Sequence, residues 1–215
     1  MKYGLVCFDM DGTLTEYRSS WCWVHHAFGV DNEESLEAFH NGLIDEPEFM
    51  RRDIALWKGI KPDVNIRDIA EIIETLPLNE GIGETISALG AEGAKNVIVS
   101  GGIDIAARTI AEKFGFDDYA ADGLELYEDG RLTGEGIVHV NLSDKGKTVR
   151  EFQRKYGIGK ERTVSVGNSR TDVSMFRESA LSIAFNPLDE YVIEAADAVV
   201  RSKNLSDILD VILND

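Results

Sequence analysis

The hydrophobic pattern changes its period several times along the chain. Residues 4–8, Gly-Leu-Val-Cys-Phe, form a short unbroken apolar run, the mark of a strand buried on both faces. Segments 96–99, 163–166, 181–184 and 198–200 read as further short strands. Between them the apolar positions move to helical spacing. Ile103, Ala106, Ala107, Ile110, Ala111 and Phe114 trace one face, and Gly115 stops the run. Helices are also expected over 84–89, around Val149, Phe152 and Tyr156, over 173–178, and through Leu205, Ile208, Leu209 and Ile212. Residues 124–127 and 131–133 flank Asp129-Gly130, a turn signal that predicts a small hairpin.

The stretch from about residue 19 to 76 is different. It holds no convincing strand and reads as helices over 21–28, 33–41, 46–57 and 66–76. Asn32 suits the cap of the second, and Pro47 suits the first turn of the third. Strands separated by helices elsewhere imply a doubly wound, mostly parallel α/β sheet, a Rossmann-like core with the small hairpin attached. The expected division is a core of residues 1–14 and 77–215, with a helical cap of residues 15–76 inserted after the first strand. Trp21, Trp23, Phe28, Phe39, Phe49 and Trp57 supply that cap's own small core.

Charge narrows the function. Against 22 Lys and Arg stand 39 Asp and Glu, a formal net charge of −17. Such a chain lacks the positive field of a general nucleic-acid surface and is unsuited to anionic lipid. It has no stretch apolar enough to span a membrane and no signal-peptide pattern. Its two cysteines, Cys7 in the first strand and Cys22, do not suggest a disulfide framework. The expectation is a cytoplasmic protein, a monomer or homodimer, acting on a small phosphorylated metabolite.

Candidate chemistry gathers where strands end. In open α/β sheets ligands bind beyond the carboxyl ends of the strands. Asp9-Met10-Asp11-Gly12-Thr13 follows the first strand, Ser100-Gly101-Gly102 the second, and Gly167-Asn168-Ser169-Arg170-Thr171-Asp172 a later one. Asp9 suits a nucleophile that forms an aspartyl phosphate, and Asp11 an acid/base that serves the leaving group and then the water. Gly12 lets the backbone turn tightly over a phosphate. Ser100 and the Gly101 backbone suit its non-bridging oxygens. A lysine, Lys145 or Lys147, would neutralise the approach of two anions. Asp9 and Asp11, with Asn168 and Asp172, form an oxygen-rich set suited to Mg²⁺.

These motifs resemble those of the haloacid-dehalogenase-like hydrolases, over nearly all the chain. The helical insertion, the Val99-Ser100-Gly101-Gly102 segment, the hairpin before Lys145-Gly146, and Ser174-Met175-Phe176 through Ile183-Pro187 resemble the phosphoserine-phosphatase branch. The resemblance implies a Mg²⁺-dependent phosphomonoester hydrolase acting on a phosphoserine-like compound or another phosphorylated acid or sugar. It implies Asp9 as nucleophile, Asp11 as acid/base, Ser100 on phosphate, Lys145 as the lysine, and Asn168 with Asp172 at the metal end. Two departures stand out. Asn168 replaces the family's usual Asp. In the cap, Arg18 falls where the branch has an acid, with Glu16 the nearest acid, and Asp53 falls where it has an arginine, beside Arg51 and Arg52. Arg18 and the Arg51-Arg52 pair would then favour a more anionic substrate, such as a phosphorylated acid or sugar acid. A phosphotransferase or phosphomutase on the same site, or a phosphate-ligand binding protein without turnover, are the rival readings.

Overall fold

Every residue of β1 (Leu5–Phe8) is fully shielded from solvent. This computed structural model, which describes residues 2–215, shows why. β1 lies at the centre of a sheet, paired in parallel with β2 (Lys95–Ile103) on one side and β5 (Thr163–Gly167) on the other. β3 (Asp118–Leu126), β4 (Leu132–Ile137), β6 (Leu181–Phe185) and β7 (Ala198–Val200) complete seven strands in the order β4-β3-β2-β1-β5-β6-β7. The β3–β4 pair is antiparallel. The apolar run of β1 divides by the two-residue period of a strand. Val6 and Phe8 enter the larger core cluster, while Leu5 and Cys7 pack with Val149, Phe152 and Met175 on the opposite face.

The covering helices follow from their apolar stripes. α5 (Ile82–Ala91), α6 (Asp104–Phe114) and α10 (Ile208–Asn214) supply Ile82, Ile86, Leu89, Ile110 and Ile212 to the larger cluster. α7 (Lys145–Tyr156) and α8 (Val173–Phe176) lie on the other face, and α9 (Glu190–Ala195) follows β6. Strand order reverses around β1, so a crevice opens beyond its carboxyl end.

The inserted helices are α1 (Ser20–Phe28), α2 (Glu33–His40), α3 (Glu46–Ile60) and α4 (Ile66–Ile73); the first three line that crevice, and α4 packs against α1 and α6. Their centre is Trp57, fully buried, with Trp21 stacked on it at 5.4 Å and Phe28 at 6.3 Å. The helical segment leaves the core beside an antiparallel bridge between Thr15 and Leu78. It is tied down again at the β3–β4 hairpin. Lys58 Nζ donates to the carbonyls of Leu132 and Thr133 at 2.8 and 2.9 Å, and the Leu132 N–H donates to Val64 O at 3.0 Å.

Several sequence expectations shift. The second strand runs on to Ile103, past the predicted end at 99, with a register shift between Val99 and Ile103 that places Ser100 on an irregular segment. The hairpin forms around Asp129-Gly130, but its first strand is longer than predicted: β3 begins at Asp118 as a parallel partner of β2 and only its outer half pairs with β4. Asn32 does not cap α2 through its side chain; its amide instead donates to both Asp53 oxygens at 3.1 Å. The fourth helix stops at Ile73, short of the predicted 76. α9 was not foreseen, because its six residues are too few to display a period.

Candidate active site

Asp9 is the first residue beyond β1 and is almost completely buried. Its N–H continues the sheet by donating to Val166 O at 2.8 Å, which fixes where its carboxylate points. Lys145, the first residue of α7, reaches it from across the switch point. Lys145 Nζ donates to Asp9 Oδ1 and Asp172 Oδ1, each at 2.6 Å. Thr13 Oγ1 donates to the other Asp9 oxygen at 3.3 Å.

Burial pushes the Asp9 carboxyl up, and nearby Asp172 adds to this, against the opposing pull of Lys145. Burial disfavours the Lys145 ammonium, yet Asp172 and Asp9 outweigh it and hold the proton above the ordinary lysine range. The two anions and one cation therefore act as a coupled unit. Lys147 is exposed, and its N–H caps on Asp144.

Asp172 is held from behind. Its Oδ2 accepts from the N–H groups of Asn168 and Ser169 at 2.9 and 3.0 Å and from Ser169 Oγ at 3.1 Å. With Lys145 on Oδ1, both oxygens are committed. Gly167 makes this loop possible, since a Cβ there would lie 2.5 Å from Asp172 Cβ.

Asp11 sits on the turn closed by Gly12, whose φ of +79° favours glycine. A Cβ on Gly12 would also lie 2.0 Å from Asn168 Nδ2, so the first and last loops are packed against each other. Asp11 Oδ2 accepts from Ser20 Oγ at 3.0 Å, while Oδ1 is buried without a protein partner. Burial raises the Asp11 carboxyl to about 6 despite the Ser20 hydrogen bond. Ser20 Oγ accepts in turn from Ile103 N–H at 2.9 Å, joining the Asp11 loop to the end of β2. Sequence reading missed Ser20; its only signal was a place at a helix start.

Ser100 Oγ accepts from Gly102 N–H at 3.0 Å, which leaves its hydroxyl proton for another acceptor. Gly102 has no room for a side chain: a Cβ would lie 2.5 Å from Met10 Cε and 2.6 Å from Asp11 Oδ2. Trp21 Nε1 donates to Gly101 O at 3.0 Å, a direct link from the first cap helix to the Ser100 loop.

These residues floor a cavity of about 760 Å³ roofed by the helical cap. Asp9, Asp11, Ser100, Gly101, Lys145 and Asn168 all line it. The remaining predicted residues fare differently. Gly12 lies in the Asp11 turn behind this floor. Arg18 lines the cavity at an exposed position and pairs with no acid among the described residues. Glu16 is exposed and outside the lining. Arg52 is outside it too, its Nε on Glu48 Oε1 at 2.9 Å, and Arg51 binds Glu135 at 2.9 Å. On a helix, adjacent residues point about 100° apart. The face that turns Asp53 into the cavity therefore turns Arg52 away.

A profile of haloacid dehalogenase-like hydrolases matches residues 6–177. The chain belongs to that family. The hydrolase is 34% identical over 218 aligned residues to the phosphoserine phosphatase of Methanocaldococcus jannaschii, with 97% of each chain covered. It is 32% identical to the phosphoserine phosphatase of Wolinella succinogenes, over 95% of this chain and 98% of that one. A solved phospho-aspartyl intermediate analogue of phosphoserine phosphatase superposes with a TM-score of 0.83 at 31% identity, covering 98% of this chain and 99% of the other. A solved substrate-bound phosphoserine phosphatase complex gives the same TM-score. The cap, the core and the order of motifs place this hydrolase in the phosphoserine-phosphatase-like branch as a phosphatase. No helix among the described residues is long and apolar enough to cross a membrane.

Proposed function

We propose that the chain hydrolyses a small phosphomonoester in two steps through Asp9, with residues 15–76 acting as the cap that encloses the reaction. The observation that carries this reading is the buried Asp9–Lys145–Asp172 unit, with its 2.6 Å contacts, at the floor of a cavity that Ser100 also lines. An Asp9 oxygen attacks phosphorus, and the ester P–O bond breaks. The departing oxygen takes a proton from Asp11, whose raised affinity suits a donor near neutral pH. Asp11 then takes a proton from a water whose oxygen attacks the phosphoryl group, and the bond to Asp9 breaks. Lys145 keeps a positive charge beside Asp9 while two anions approach. Ser100 Oγ–H and the Gly101 backbone hold phosphoryl oxygens. Asp172 positions Lys145 and the Asn168 loop.

The polar groups here also fit a hard divalent cation. Asp11 Oδ1 is an orphaned buried oxygen, and the Asp9 carboxylate and the Asn168 amide line the same floor, an oxygen-donor set of the kind a hard cation prefers. Asp9, the Asp11 carbonyl and Asn168 would hold Mg²⁺. When bound, the ion would neutralise phosphoryl oxygens and align them for attack.

The test is phosphate release from a panel of small phosphomonoesters across a Mg²⁺ titration, with Asp9→Asn alongside. Release that needs Mg²⁺ and disappears in Asp9→Asn is expected. Transfer to added alcohols in place of water would make the chain a phosphotransferase, and binding without turnover would contradict the hydrolytic reading.

A further inference from the structure

The floor of the cavity is charge-compensated, and its far wall is not. Asp53, on α3, is 1% exposed and lines the cavity. Its partners are the Asn32 amide, twice at 3.1 Å, Ser35 Oγ at 3.4 Å, and His25 Nε2 at 3.2 Å. His25 Nδ1 accepts from Trp57 Nε1–H at 2.8 Å, and indole nitrogen only donates. The ring proton of His25 is therefore left to Nε2, which lies 3.2 Å from Asp53 Oδ2 without forming a hydrogen bond to it, and the imidazole brings no full charge.

Glu46, in the first turn of the same helix, also lines the cavity. Its Oε2 accepts one long hydrogen bond from Leu142 N–H at 3.4 Å, and its Oε1 is buried with no partner at all. Asp122 lines the cavity too, buried, with Oδ1 on the N–H groups of His139 and Val140 at 2.8 and 2.9 Å. None of these three carboxyls forms an ion pair with lysine or arginine among the described residues.

The cavity's cations lie elsewhere. Lys145 is committed to Asp9 and Asp172. Arg170 is exposed and lies over the Tyr191 ring at 4.9 Å, and Arg18 is exposed. Arg51 and Arg52 turn outward to acids on the surface. The inner wall thus offers no guanidinium to a carboxylate, and it holds acceptor oxygens that lack a cation. Removing such oxygens from water is costly unless something donates to them.

We propose that the leaving-group side of this cavity takes the phosphate monoester of an amino alcohol, an ester that carries an ammonium group and no carboxylate, with Glu46 and Asp53 as its recognition residues. The ammonium supplies donors to the orphaned Glu46 Oε1 and a countercharge to the acidic wall. A carboxylate placed there would meet Asp53 and Glu46 and be repelled. This rests on the phosphatase reading and replaces the anionic-substrate expectation that Arg18 and Arg52 suggested.

The experiment compares kcat/KM for O-phosphoethanolamine, glycerol phosphate, phosphoglycolate and phosphoserine at saturating Mg²⁺, with p-nitrophenyl phosphate as a general reporter. O-phosphoethanolamine should exceed glycerol phosphate and phosphoglycolate by about tenfold or more. Phosphoserine should fall below O-phosphoethanolamine. Asp53→Asn and Glu46→Gln should each lower the ratio of amine ester to neutral ester, chiefly through KM. Equal or better turnover of the neutral or carboxylate esters overturns the inference, as does a ratio unchanged in both variants. Absence of the amine-ester preference in the unaltered enzyme, while p-nitrophenyl phosphate is hydrolysed, sinks this inference alone. Failure to hydrolyse any ester sinks the phosphatase reading with it.

Discussion

The rim of the core and the wall of the cap face each other across one cavity but are wired differently. On the rim, Lys145 stands between two carboxylates at 2.6 Å, and Asp172 is held by three further donors. Each group there is anchored to the backbone at the end of a strand or the start of a helix. On the cap wall, Asp53 has neutral donors only and one oxygen of Glu46 has none. The rim holds a fixed set of charges ready for a phosphoryl group. The wall leaves charge to be completed by whatever alcohol is attached. The proposed function and the proposed selectivity therefore lie on different parts of the chain.

The contrast breaks first at the rim. Asp9→Asn should cost about 10⁴-fold or more in kcat, read as phosphate release at saturating substrate; a loss of only a few fold would remove Asp9 from the chemistry. Gly102→Ala, which forces a methyl to within 2.6 Å of Asp11 Oδ2 and Ser20 Oγ, should cost about 100-fold. Circular dichroism on that variant separates a displaced loop from a lost fold.

Asn168→Asp restores a negative charge to the oxygen set around Asp9 and Asp11. It should tighten Mg²⁺ about tenfold, measured by calorimetry on the protein without substrate. Unchanged affinity would place Asn168 outside the metal's reach.

The cap wall responds to pH instead. Burial, with Asp122 nearby, pushes Glu46 up to about 7, and burial raises Asp122 to about 6. A carboxyl raised in the folded state holds more protons there than in the unfolded chain. Its contribution to stability is present below the ordinary carboxylate range and lost as pH rises through the folded value. Stability should fall from pH 5 to pH 8, and Glu46→Gln should flatten that fall and raise Tm at pH 8 by about 2–4 °C. An identical slope in the variant would show that Glu46 does not titrate in this range. The smallest effect belongs to Arg52→Ala. Its exposed pairing with Glu48 contributes little, so kcat/KM should stay within about twofold. A large loss would bring Arg52 back to the substrate.

The rim could be read from sequence because its geometry is local. An apolar run of four buried residues ends at Asp9, and a glycine with positive φ follows Asp11, so spacing alone placed the two acids. The sheet, its helices and the inserted helical segment were legible by the same periodicities. The wall was not legible, because its character arises from meetings between distant segments. Asp53 depends on His25, Asn32 and Ser35 of two other helices, and Glu46 meets a backbone amide 96 residues away. The Arg51-Arg52 pair looked cationic in sequence, but helix geometry sends it to Glu48 and Glu135. Ser20 was hidden for a similar reason, since it joins Asp11 to a strand 83 residues away.

The central claim is that the phosphoryl group passes through Asp9. The most direct measurement is peptide mass spectrometry on enzyme quenched in acid during turnover with Mg²⁺. The account predicts a hydroxylamine-labile phosphate on the peptide carrying Asp9, accumulating further when Asp11→Asn slows its hydrolysis. Turnover with no label at Asp9 under either condition, or a stable phosphate on another residue, would contradict it.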